Sequence, residues 1–494
     1  MEKVKEIALY KLILSTASVC FFLLFLYVAL SRINYPFELE WMEGGSVDQM
    51  ERLMNGQQIY TPPSLEYIPY IYTPMYYCVS AAVAKITGIS LLPMRIVSFI
   101  STLLIGILIL LFVKKETGDR LSGIISSGLF FACFGIGGAW YDLARVDMLW
   151  LLFYFAGIYF LHFNKTKTFF LVSAILTGLS FLTKQTALML IAPVCIYLLI
   201  KERKLSWWFN VPLAITVVFS TLYFIYSSDG WYYFWNFTLP ADHHWTKKFF
   251  ILFWTYDLVR PMSLVLLLTV SLLVVLYKNN SKEKFYLFMS VIAGAVIASW
   301  FSRLHYGGWD NVLIPIYMIL CVFSPIGLHR TIDHLSQDKN SHFVSRFLFL
   351  AMILQFIILI YSPFRQIPSN RDLKAGWELV NELKSTKGDV YVTGNTYYAR
   401  LAGKKTYTHF MLIFDLMESR TKYNSFINYA FNNAIVNHKF EKIITYPDIW
   451  NKYPVLSKYY KVEKKANSDP ALLWMKTGYN TRAEDILIPK EMNK

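Results

Sequence analysis

Eleven apolar stretches alternate with polar loops along most of this chain, and this alternation limits the possible fold more than any other feature. Several stretches are about 18 residues long, the length that crosses the core of a bilayer as a helix. The 494 residues are 55% hydrophobic and only 16% charged, unlike a soluble globular domain. The stretches predict transmembrane helices at residues 13–30, 95–113, 121–137, 148–163, 169–182, 187–200, 209–226, 262–277, 285–301, 312–328 and 343–361.

Basic residues predict which loops lie on the same side of the membrane. They occur before the first helix and then at every second loop: Lys3, Lys5, Lys11, Lys114, Lys115, Arg120, Lys165, Lys167, Lys201, Arg203, Lys204, Lys278, Lys282, Lys284, Arg330 and Lys339. The positive-inside rule places these loops in the cytoplasm. The formal net charge of +15 therefore reflects membrane topology, and without aromatic–basic RNA motifs it does not indicate a nucleic-acid partner.

Two further regions are predicted to lie on the external side. The first external loop, residues 31–93, contains a tyrosine-rich apolar segment at 72–86 that predicts a helix at the outer leaflet and not a span. From residue 364 the composition turns polar, and an amphipathic helix near 377–383 with short strands at 390–393 and 442–446 predicts a small α/β domain. We expect a mainly α fold, with a polytopic bundle of about eleven transmembrane helices over residues 1–363 and an external domain over 364–494.

Carboxylates are concentrated in the loop that follows the first helix. Glu38, Glu40 and Glu43 lie around Trp41 in this otherwise basic chain. Solvation explains Glu40 and Glu43 poorly, because they are wedged among apolar residues and glycines. A carboxylate held at the membrane surface can take the proton of an incoming hydroxyl, as a general base does, so we predict the catalytic centre here.

Other polar residues fall at the same external ends of the helices. Ionisable side chains at membrane depth are costly and often mark function. Cations there could stabilise the negative charge that develops on a departing phosphate, and the planar fork of arginine suits phosphate oxygens. The candidates are Arg145, Lys184, Arg303 and His305 as phosphate ligands, Asp147 as a catalytic carboxylate, and Trp41, Tyr72, Tyr76 and Asp310 as substrate contacts.

Four sequence elements resemble the GT-C glycosyltransferases, in particular the group of protein mannosyltransferases, aminoarabinose transferases and lipopolysaccharide galacturonosyltransferases. The elements are a helical segment ending in Asn55-Gly56, the following Gln58-Ile59-Tyr60, the segment Tyr72-Thr73-Pro74-Met75-Tyr76-Tyr77, and Ala144-Arg145-Val146-Asp147. The match covers residues 8–200 well and the later helices only in outline. Enzymes of this superfamily use polyprenyl-phosphate-linked sugars, so the resemblance implies that donor class.

The resemblance also implies roles for individual residues. The family has two successive acids before the segment ending in Asn-Gly; Glu43 occupies the second position, and Met42 stands in the first. Either Glu43 or Glu40 would then deprotonate the acceptor hydroxyl, with inversion at the anomeric carbon. Asp147 would orient Arg145 or the acceptor. The polyprenyl phosphate would be held by Arg145 and Lys184, with Arg303 or His305 as a further ligand.

The sequence thus predicts an integral membrane glycosyltransferase that moves a sugar to a cell-envelope polysaccharide, lipid or protein. A bacterial plasma membrane is expected, with the N-terminus in the cytoplasm. No cofactor or divalent metal is expected, because basic residues can supply the compensating charge. Two alternatives stay open: a lipid-linked glycan polymerase or ligase of another fold, which would depend on His243 or His244, and a transporter or flippase, which would carry its charges near mid-helix.

Overall fold

Helices make up most of the molecule. The computed structural model describes residues 2–335, 341–447, 449 and 453–491, so Lys339 lies outside the described residues. The first part of the chain contains α1 Glu2–Arg32, α2 Glu43–Met54, α3 Met75–Thr87, α4 Leu91–Thr117, α5 Arg120–Ala132, α6 Asp147–Phe163, α7 Lys167–Thr183, α8 Ala187–Lys201, α9 Arg203–Ser227, α10 Trp231–Tyr233, α11 Leu239–Asp242, α12 Phe249–Leu252, α13 Arg260–Lys278, α14 Lys282–Leu304, α15 Ile314–Leu335 and α16 Ser341–Ile358. Short π-helical turns at Phe234–Thr238 and Phe253–Val259 join α10 to α11 and α12 to α13.

Each of the eleven predicted segments falls on one of these helices. Within the described residues, seven helices are long and apolar enough to cross a membrane, and four shorter apolar helices, α5 to α8, occupy the predicted third to sixth spans. The protein is a multi-pass membrane protein with a mainly helical fold. The number of eleven spans stays a prediction, because four of these helices are shorter than a bilayer core requires.

Helix ends follow from local sequence. α4 ends at Gly118, whose φ of +75° is the left-handed conformation that glycine adopts without steric cost. The next residue, Asp119, accepts hydrogen bonds from the backbone N–H groups of Leu121 and Ser122. This caps the first turn of α5, so a tight turn reverses the chain between α4 and α5.

The first external loop contains two helices that pack against the bundle. α3 covers most of the segment predicted as an outer-leaflet helix. Tyr76 and Tyr77 of α3 are buried, whereas Ile86 near its end is exposed. α3 contacts both α2 and α4, so the loop forms a folded layer over the ends of the helices.

The C-terminal region has the predicted α/β character. The helix and the two strands predicted from sequence are confirmed, and two strands that were not predicted complete a four-stranded sheet of order β1-β2-β4-β3. β1 and β2 pair in parallel, and the other pairs are antiparallel. The elements are α17 Asn370–Ser385, β1 Val390–Val392, α18 Tyr397–Leu401, α19 Phe410–Met417, α20 Tyr423–Val436, β2 Lys442–Ile444, a short helix Val455–Tyr459, β3 Tyr460–Lys465 and β4 Asp485–Pro489.

The loops predicted to be cytoplasmic meet at one end of the bundle, which we call the basic end. Glu116, at the end of α4, lies 2.9 Å from His162, 2.6 Å from Lys284 and 3.3 Å from Arg330. These partners belong to α6, α14 and α15. Lys165, after α6, contacts Glu202 and Glu283 at 2.6 and 2.7 Å.

The C-terminal region packs on the opposite end, which we call the carboxylate end. Arg400 of α18 forms ion pairs of 2.6 Å with both Asp48 and Glu51 of α2. Phe37 stacks on Tyr398, with ring centroids 5.0 Å apart. The first external loop and the C-terminal region therefore form one layer over the carboxylate end.

Candidate active site

The loop between α1 and α2 is fixed at its start by Arg32. The Arg32 Nε donates to Asp142 at 2.7 Å, a second nitrogen of the guanidinium also contacts Asp142, and Nη2 donates to the Ala139 carbonyl at 2.7 Å. Both charged side chains are buried. These contacts hold the loop at 33–42 against the loop at 133–146, and the two loops provide the central residues of the site.

Glu43 is completely buried and all its hydrogen-bonding capacity is directed at the protein. Its Oε2 accepts from Arg95 at 2.7 Å and from the Leu39 N–H at 2.6 Å. Its Oε1 accepts from Arg95 at 3.0 Å and from the Ala144 N–H at 2.8 Å. Burial alone would raise the pKa of Glu43, but the Arg95 charge and these hydrogen bonds hold the pKa below its ordinary value. This pattern is that of a structural carboxylate.

Glu40 is also buried, but its carboxylate is only partly engaged. Oε2 accepts from Arg145 Nη1 at 3.0 Å and from the Met42 N–H at 3.3 Å. Oε1 has no hydrogen-bond donor among the residues that the structure describes. Burial raises the pKa of Glu40 to about 7, against the opposing effect of the Arg145 charge. A carboxylate with one open oxygen and a pKa near neutrality has the properties of a general base.

Arg145 connects Glu40 to a tyrosine of the first external loop. Its Nη2 donates to the Tyr72 hydroxyl at 3.1 Å, while Nη1 faces Glu40. The guanidinium carbon lies 5.7 Å from the centre of the Tyr72 ring and 5.8 Å from that of Trp140. Aromatic side chains therefore surround the cation and fix its orientation.

A second cation lies beside the same tyrosine. The Lys184 ammonium donates to Asp147 Oδ1 at 2.8 Å and lies 5.6 Å from the Tyr72 ring centre. Asn311 donates to the same Asp147 oxygen at 3.2 Å. Asp147 Oδ2 is buried without a hydrogen-bond partner among the described residues. Five of the predicted residues, namely Glu40, Tyr72, Arg145, Asp147 and Lys184, thus form one connected group.

The remaining predicted cations belong to a neighbouring group. Arg303 forms two hydrogen bonds with Asp257, at 2.8 and 3.1 Å, and a third with the Gly308 carbonyl at 2.8 Å. Asp310 lies 3.3 Å from Arg303, and its side chain is half exposed. The His305 ring lies 6.5 Å from that of His243 and 6.2 Å from that of Trp245. Within the described part of the chain, no hydrogen bond, ion pair or ring contact links Arg303 or His305 to Arg145 or Lys184.

Two of the predicted substrate contacts, Trp41 and Tyr76, are covered by other parts of the protein. Trp41 is buried, and its ring packs against the rings of His409, Tyr446 and Tyr479 at 4.6, 5.8 and 4.7 Å. Tyr76 is fully buried, and its hydroxyl contacts the Met94 carbonyl at 2.9 Å. Because the protein itself covers both rings, neither is free to stack on a sugar.

A small cavity lies beside the group that contains Arg303 and His305. Its volume is about 180 Å³, and it is lined by residues 242–244, Tyr306 and the end of α19, including Asp415. His243 lies 4.0 Å from Asp415, and burial lowers the pKa of His243 to about 4. Across the described ranges no set of three His, Cys, Asp or Glu residues is arranged to hold a metal ion.

The sequence did not identify three residues that shape the site. Arg95 neutralises Glu43, Asp257 binds Arg303, and Asn311 supports Asp147. A signal existed for Arg95 and Asp257, because ionisable residues next to apolar helices are usually paired. Asn311 is adjacent to the predicted Asp310, but its role requires the approach of a helix far away in sequence.

Comparison with known proteins agrees with this architecture. A family model described as dolichyl-phosphate-mannose-protein mannosyltransferase matches residues 72–229. ArnT from Cupriavidus metallidurans, in its structure bound to undecaprenyl phosphate, has a TM-score of 0.58 and 11% identity, over 96% of this chain and 98% of that one. Its apo structure gives a TM-score of 0.59 and 11% identity, over 95% and 97%. At this identity the likeness demonstrates a shared fold. None of the curated proteins matches the sequence at a significant level.

The family model covers the segments that contain Tyr72, Arg145, Asp147 and Lys184, and the shared fold covers nearly the whole chain. Residues 72–229 therefore match the model of a mannosyltransferase family, and the chain has the fold of ArnT.

Proposed function

We propose that this protein transfers a sugar from a polyprenyl-phosphate-linked donor to a hydroxyl group of a cell-envelope acceptor, with Glu40 as the base. The observation that carries the proposal is the geometry of Glu40. Its carboxylate is buried, held on one side by Arg145, and open at Oε1. The acceptor is a polysaccharide, lipid or protein, and the site faces the outside of a bacterial plasma membrane.

The donor class is supported by the two cations on either side of Tyr72. Arg145 and Lys184 lie 5.7 and 5.6 Å from the centre of that ring. A phosphate binds well where an arginine fork and an ammonium group converge. ArnT, which shares the fold, was solved with undecaprenyl phosphate bound, and polyprenyl-phosphate donors are used by the superfamily.

The charges of the group suit the proposed reaction. Before reaction, Glu40 balances Arg145 and Asp147 balances Lys184. When Glu40 accepts a proton, its negative charge disappears and Arg145 loses its counter-ion. At the same moment the departing phosphate gains a negative charge. Arg145 can then stabilise the phosphate without reorganising, which is the preorganised electrostatic stabilisation that lowers barriers most effectively.

The proposed transfer is a single displacement at the anomeric carbon. The acceptor O–H proton moves to Glu40 Oε1, and the acceptor oxygen forms a bond to the anomeric carbon. The bond from that carbon to the phosphate oxygen breaks, and its electron pair leaves with the phosphate. A single displacement with base and leaving group on opposite faces of the sugar inverts the anomeric configuration.

Glu40 is a better candidate base than Glu43, the other carboxylate that the sequence left open. Glu43 has five hydrogen bonds directed at it, two of them from Arg95. To act as a base it would have to leave this network. Met42 occupies the position of the family's first acid, and its N–H donates to Glu40. The backbone at that position therefore supports the carboxylate of Glu40.

Arg303 and His305 receive smaller roles in the proposal. Arg303 directs three hydrogen bonds at Asp257 and Gly308, which supports a structural function. Asp147 is a positioning residue that holds the Lys184 ammonium. The mechanism requires no divalent metal, because Arg145 and Lys184 provide the positive charge. Activity that a chelator abolishes and added metal restores would contradict this part.

Orientation follows from the two ends of the bundle. The basic end gathers the loops that the positive-inside rule assigns to the cytoplasm, and the proposed site lies at the opposite end. The N-terminus of α1 lies at the basic end, where Glu6 pairs with Arg346 at 3.1 Å. Cysteine labelling of an exposed site residue such as Asp310→Cys by a membrane-impermeant reagent in intact cells tests the assignment; labelling only after lysis would contradict it.

The transfer itself can be tested with purified full-length protein in nanodiscs. The probe is the lipid-linked sugar fraction extracted from the producing cells, with release of undecaprenyl phosphate followed by mass spectrometry. We expect release that depends on added cell-envelope acceptor, and a product of inverted anomeric configuration. Arg145→Met should abolish release. Glu66→Gln, in the same external loop with its side chain 39% exposed, is the matched control and should retain it.

A further inference from the structure

A hairpin near the end of the chain reaches the proposed base. Residues 474–482 form this hairpin, closed by a bridge between Trp474 and Arg482 and by a 3.0 Å hydrogen bond from the Met475 N–H to the Thr481 carbonyl. It connects the short helix Val455–Tyr459 and β3 to β4. We call it the C-terminal hairpin. It belongs to the external α/β region and not to the helix bundle.

The C-terminal hairpin is attached to both loops that form the site. The N–H groups of Lys476 and Thr477 donate to the Leu39 carbonyl at 2.9 and 3.2 Å. The Thr477 hydroxyl donates to the Gly138 carbonyl. Leu39 immediately precedes Glu40, and Gly138 lies in the loop that carries Arg145. The hairpin therefore links the loop of the base to the loop of its cation partner.

Gly478, at the tip, lies directly against Glu40. A Cβ atom added to Gly478 would lie 2.8 Å from Glu40 Cγ, 3.3 Å from Glu40 Oε1 and 3.3 Å from the Trp140 ring. The φ of Gly478 is +76°, which L side chains rarely adopt. Both the turn and the close approach therefore require glycine at this position.

Tyr479, next to Gly478, extends the packing of the hairpin towards the surroundings of Asp147. Its ring lies 4.7 Å from that of Trp41 and 5.9 Å from that of Trp309. Trp309 precedes the 3₁₀ turn Asp310–Leu313, which contains Asn311, the partner of Asp147. The hairpin thus packs on neighbours of both Glu40 and Asp147.

We infer that Gly478 is a positioning residue, through which the C-terminal hairpin confines the Glu40 side chain against Arg145 and makes the external α/β region part of the catalytic apparatus. The inference rests on the proposed function of Glu40. A Cβ atom at 478 and Glu40 Cγ cannot both keep their positions, so a larger side chain at 478 changes the placement of the Glu40 carboxylate against the hairpin.

A purely adhesive role would produce a different result. The external region is already attached to the bundle by the ion pairs of Arg400 with Asp48 and Glu51 and by the packing of Phe37. If the hairpin only added to this attachment, a change at Gly478 would lower stability and leave the chemistry of Glu40 intact.

The chain offers a matched control for the strain of the turn. Gly403 has a φ of +67°, and a Cβ added there would meet nothing within 4 Å. Gly403→Ala therefore carries a similar backbone cost without a new contact. Gly478→Ala carries the backbone cost and displaces Glu40 as well, so the difference between the two variants isolates the displacement.

The experiment compares wild type, Gly478→Ala and Gly403→Ala as full-length protein in nanodiscs. Release of undecaprenyl phosphate from extracted lipid-linked sugars gives kcat and KM, and thermal unfolding gives stability. We expect similar Tm losses for the two variants, near-normal kcat for Gly403→Ala, and a kcat about 100-fold lower for Gly478→Ala, since misplacing a reactive group by about 1 Å has an effect of that size. Equal kcat in the two variants would overturn the inference.

A second readout follows Glu40 directly. The pH titration of its carboxyl group can be observed by infrared difference spectroscopy against Glu40→Gln, without any substrate. Because the Arg145 charge lowers the pKa of Glu40, moving the carboxylate relative to Arg145 shifts its titration midpoint. We expect such a shift in Gly478→Ala and not in Gly403→Ala; an unchanged midpoint would contradict the inference.

Failure of the inference and failure of the proposed function are distinguishable. If Glu40→Gln retains turnover, the proposed function is wrong. If Glu40→Gln is inactive but Gly478→Ala behaves like Gly403→Ala, only the inference is wrong. Should Gly478→Ala fail to fold, Thr477→Val removes the hydroxyl that donates to Gly138. Its kcat should fall and its Glu40 midpoint should shift, and normal values of both would overturn the inference.

Discussion

The two ends of the helix bundle treat buried carboxylates differently. At the basic end, Glu116 has three cationic neighbours from three helices, and its side chain is 2% exposed. At the carboxylate end, Glu43, Asp142 and Asp257 are each satisfied by one arginine. In contrast, Glu40 has an open oxygen, and Glu38 Oε2 and Asp147 Oδ2 lack partners among the described residues.

The number of hydrogen-bond donors around a buried carboxylate distinguishes a structural carboxylate from one that can react. A buried carboxylate with a full set of donors stays ionised and holds elements together. A buried carboxylate with an incomplete set is destabilised when charged, and it can recover that free energy by accepting a proton or a ligand. Glu38 shows the first consequence, since burial raises its pKa well above its usual range. Among the described residues, the buried carboxylate oxygens without a hydrogen-bond partner lie at the carboxylate end, which supports the proposed position of the site.

The largest expected effect is on turnover. Glu40→Gln keeps the shape of the side chain and removes its basicity, so kcat should fall about 1,000-fold, within the range for loss of a general base. The measurement is undecaprenyl phosphate release with folded protein confirmed by thermal unfolding. Glu66→Gln is the control. Near-normal turnover of Glu40→Gln would show that an incomplete set of hydrogen-bond donors does not distinguish a reactive carboxylate from a structural one.

The next effect is on stability. Glu43→Gln leaves Arg95 charged, buried and short of its partner, so the free energy of unfolding should fall by about 3 kcal/mol. Thermal or denaturant unfolding of the detergent-solubilised protein measures this. We expect Glu40→Gln to unfold much closer to wild type. A Glu43→Gln variant that is stable but inactive would exchange the roles assigned to these two residues.

The pH dependence should report Glu40. The pKa of Glu40 lies at about 7, above its ordinary value, and only the ionised form acts as a base. As pH falls below about 7, kcat/KM should therefore decrease about tenfold per pH unit. In a variant with residual activity such as Arg145→Lys, the weaker interaction should move this limb to higher pH. If kcat/KM begins to decrease only near pH 4.5, the base is a carboxylate with an ordinary pKa.

The smallest effect is expected at the basic end. In Glu116→Gln the cations left behind are accessible to water, because the Lys284 and Arg330 side chains are 41% and 36% exposed. Solvation offsets most of the loss, so we expect about 1 kcal/mol of destabilisation and unchanged turnover. A large loss of turnover in Glu116→Gln with retained stability would indicate that the basic end also takes part in the reaction.

Periodic features of the sequence predicted most of the fold. Apolar length located the eleven helical segments, and the basic loops predicted the end at which Glu116 and its partners meet. The same reasoning placed the helix and two strands of the external region. It missed β3, because Tyr460–Lys465 is mostly charged and largely exposed, and its strand conformation depends on pairing with β4.

The site was predicted in part because its residues interrupt apolar or glycine-rich sequence. Arg145, Asp147 and Lys184 break apolar runs, and the structure brings them together with Tyr72. The choice between Glu40 and Glu43 depended on Arg95, which is remote from both in sequence. The packing of Trp41 could not be predicted for the same reason, since its partners His409 and Tyr479 belong to the C-terminal region.

The contact between Gly478 and Glu40 also has a consequence for biosynthesis. The ribosome completes the base near the beginning of the chain and the glycine near residue 478, after every membrane helix has been made. A chain whose external region has not yet crossed the membrane and folded lacks the wall beside Glu40. If Glu40 is the base, as proposed, a chain is therefore expected to become active only after its external region has folded.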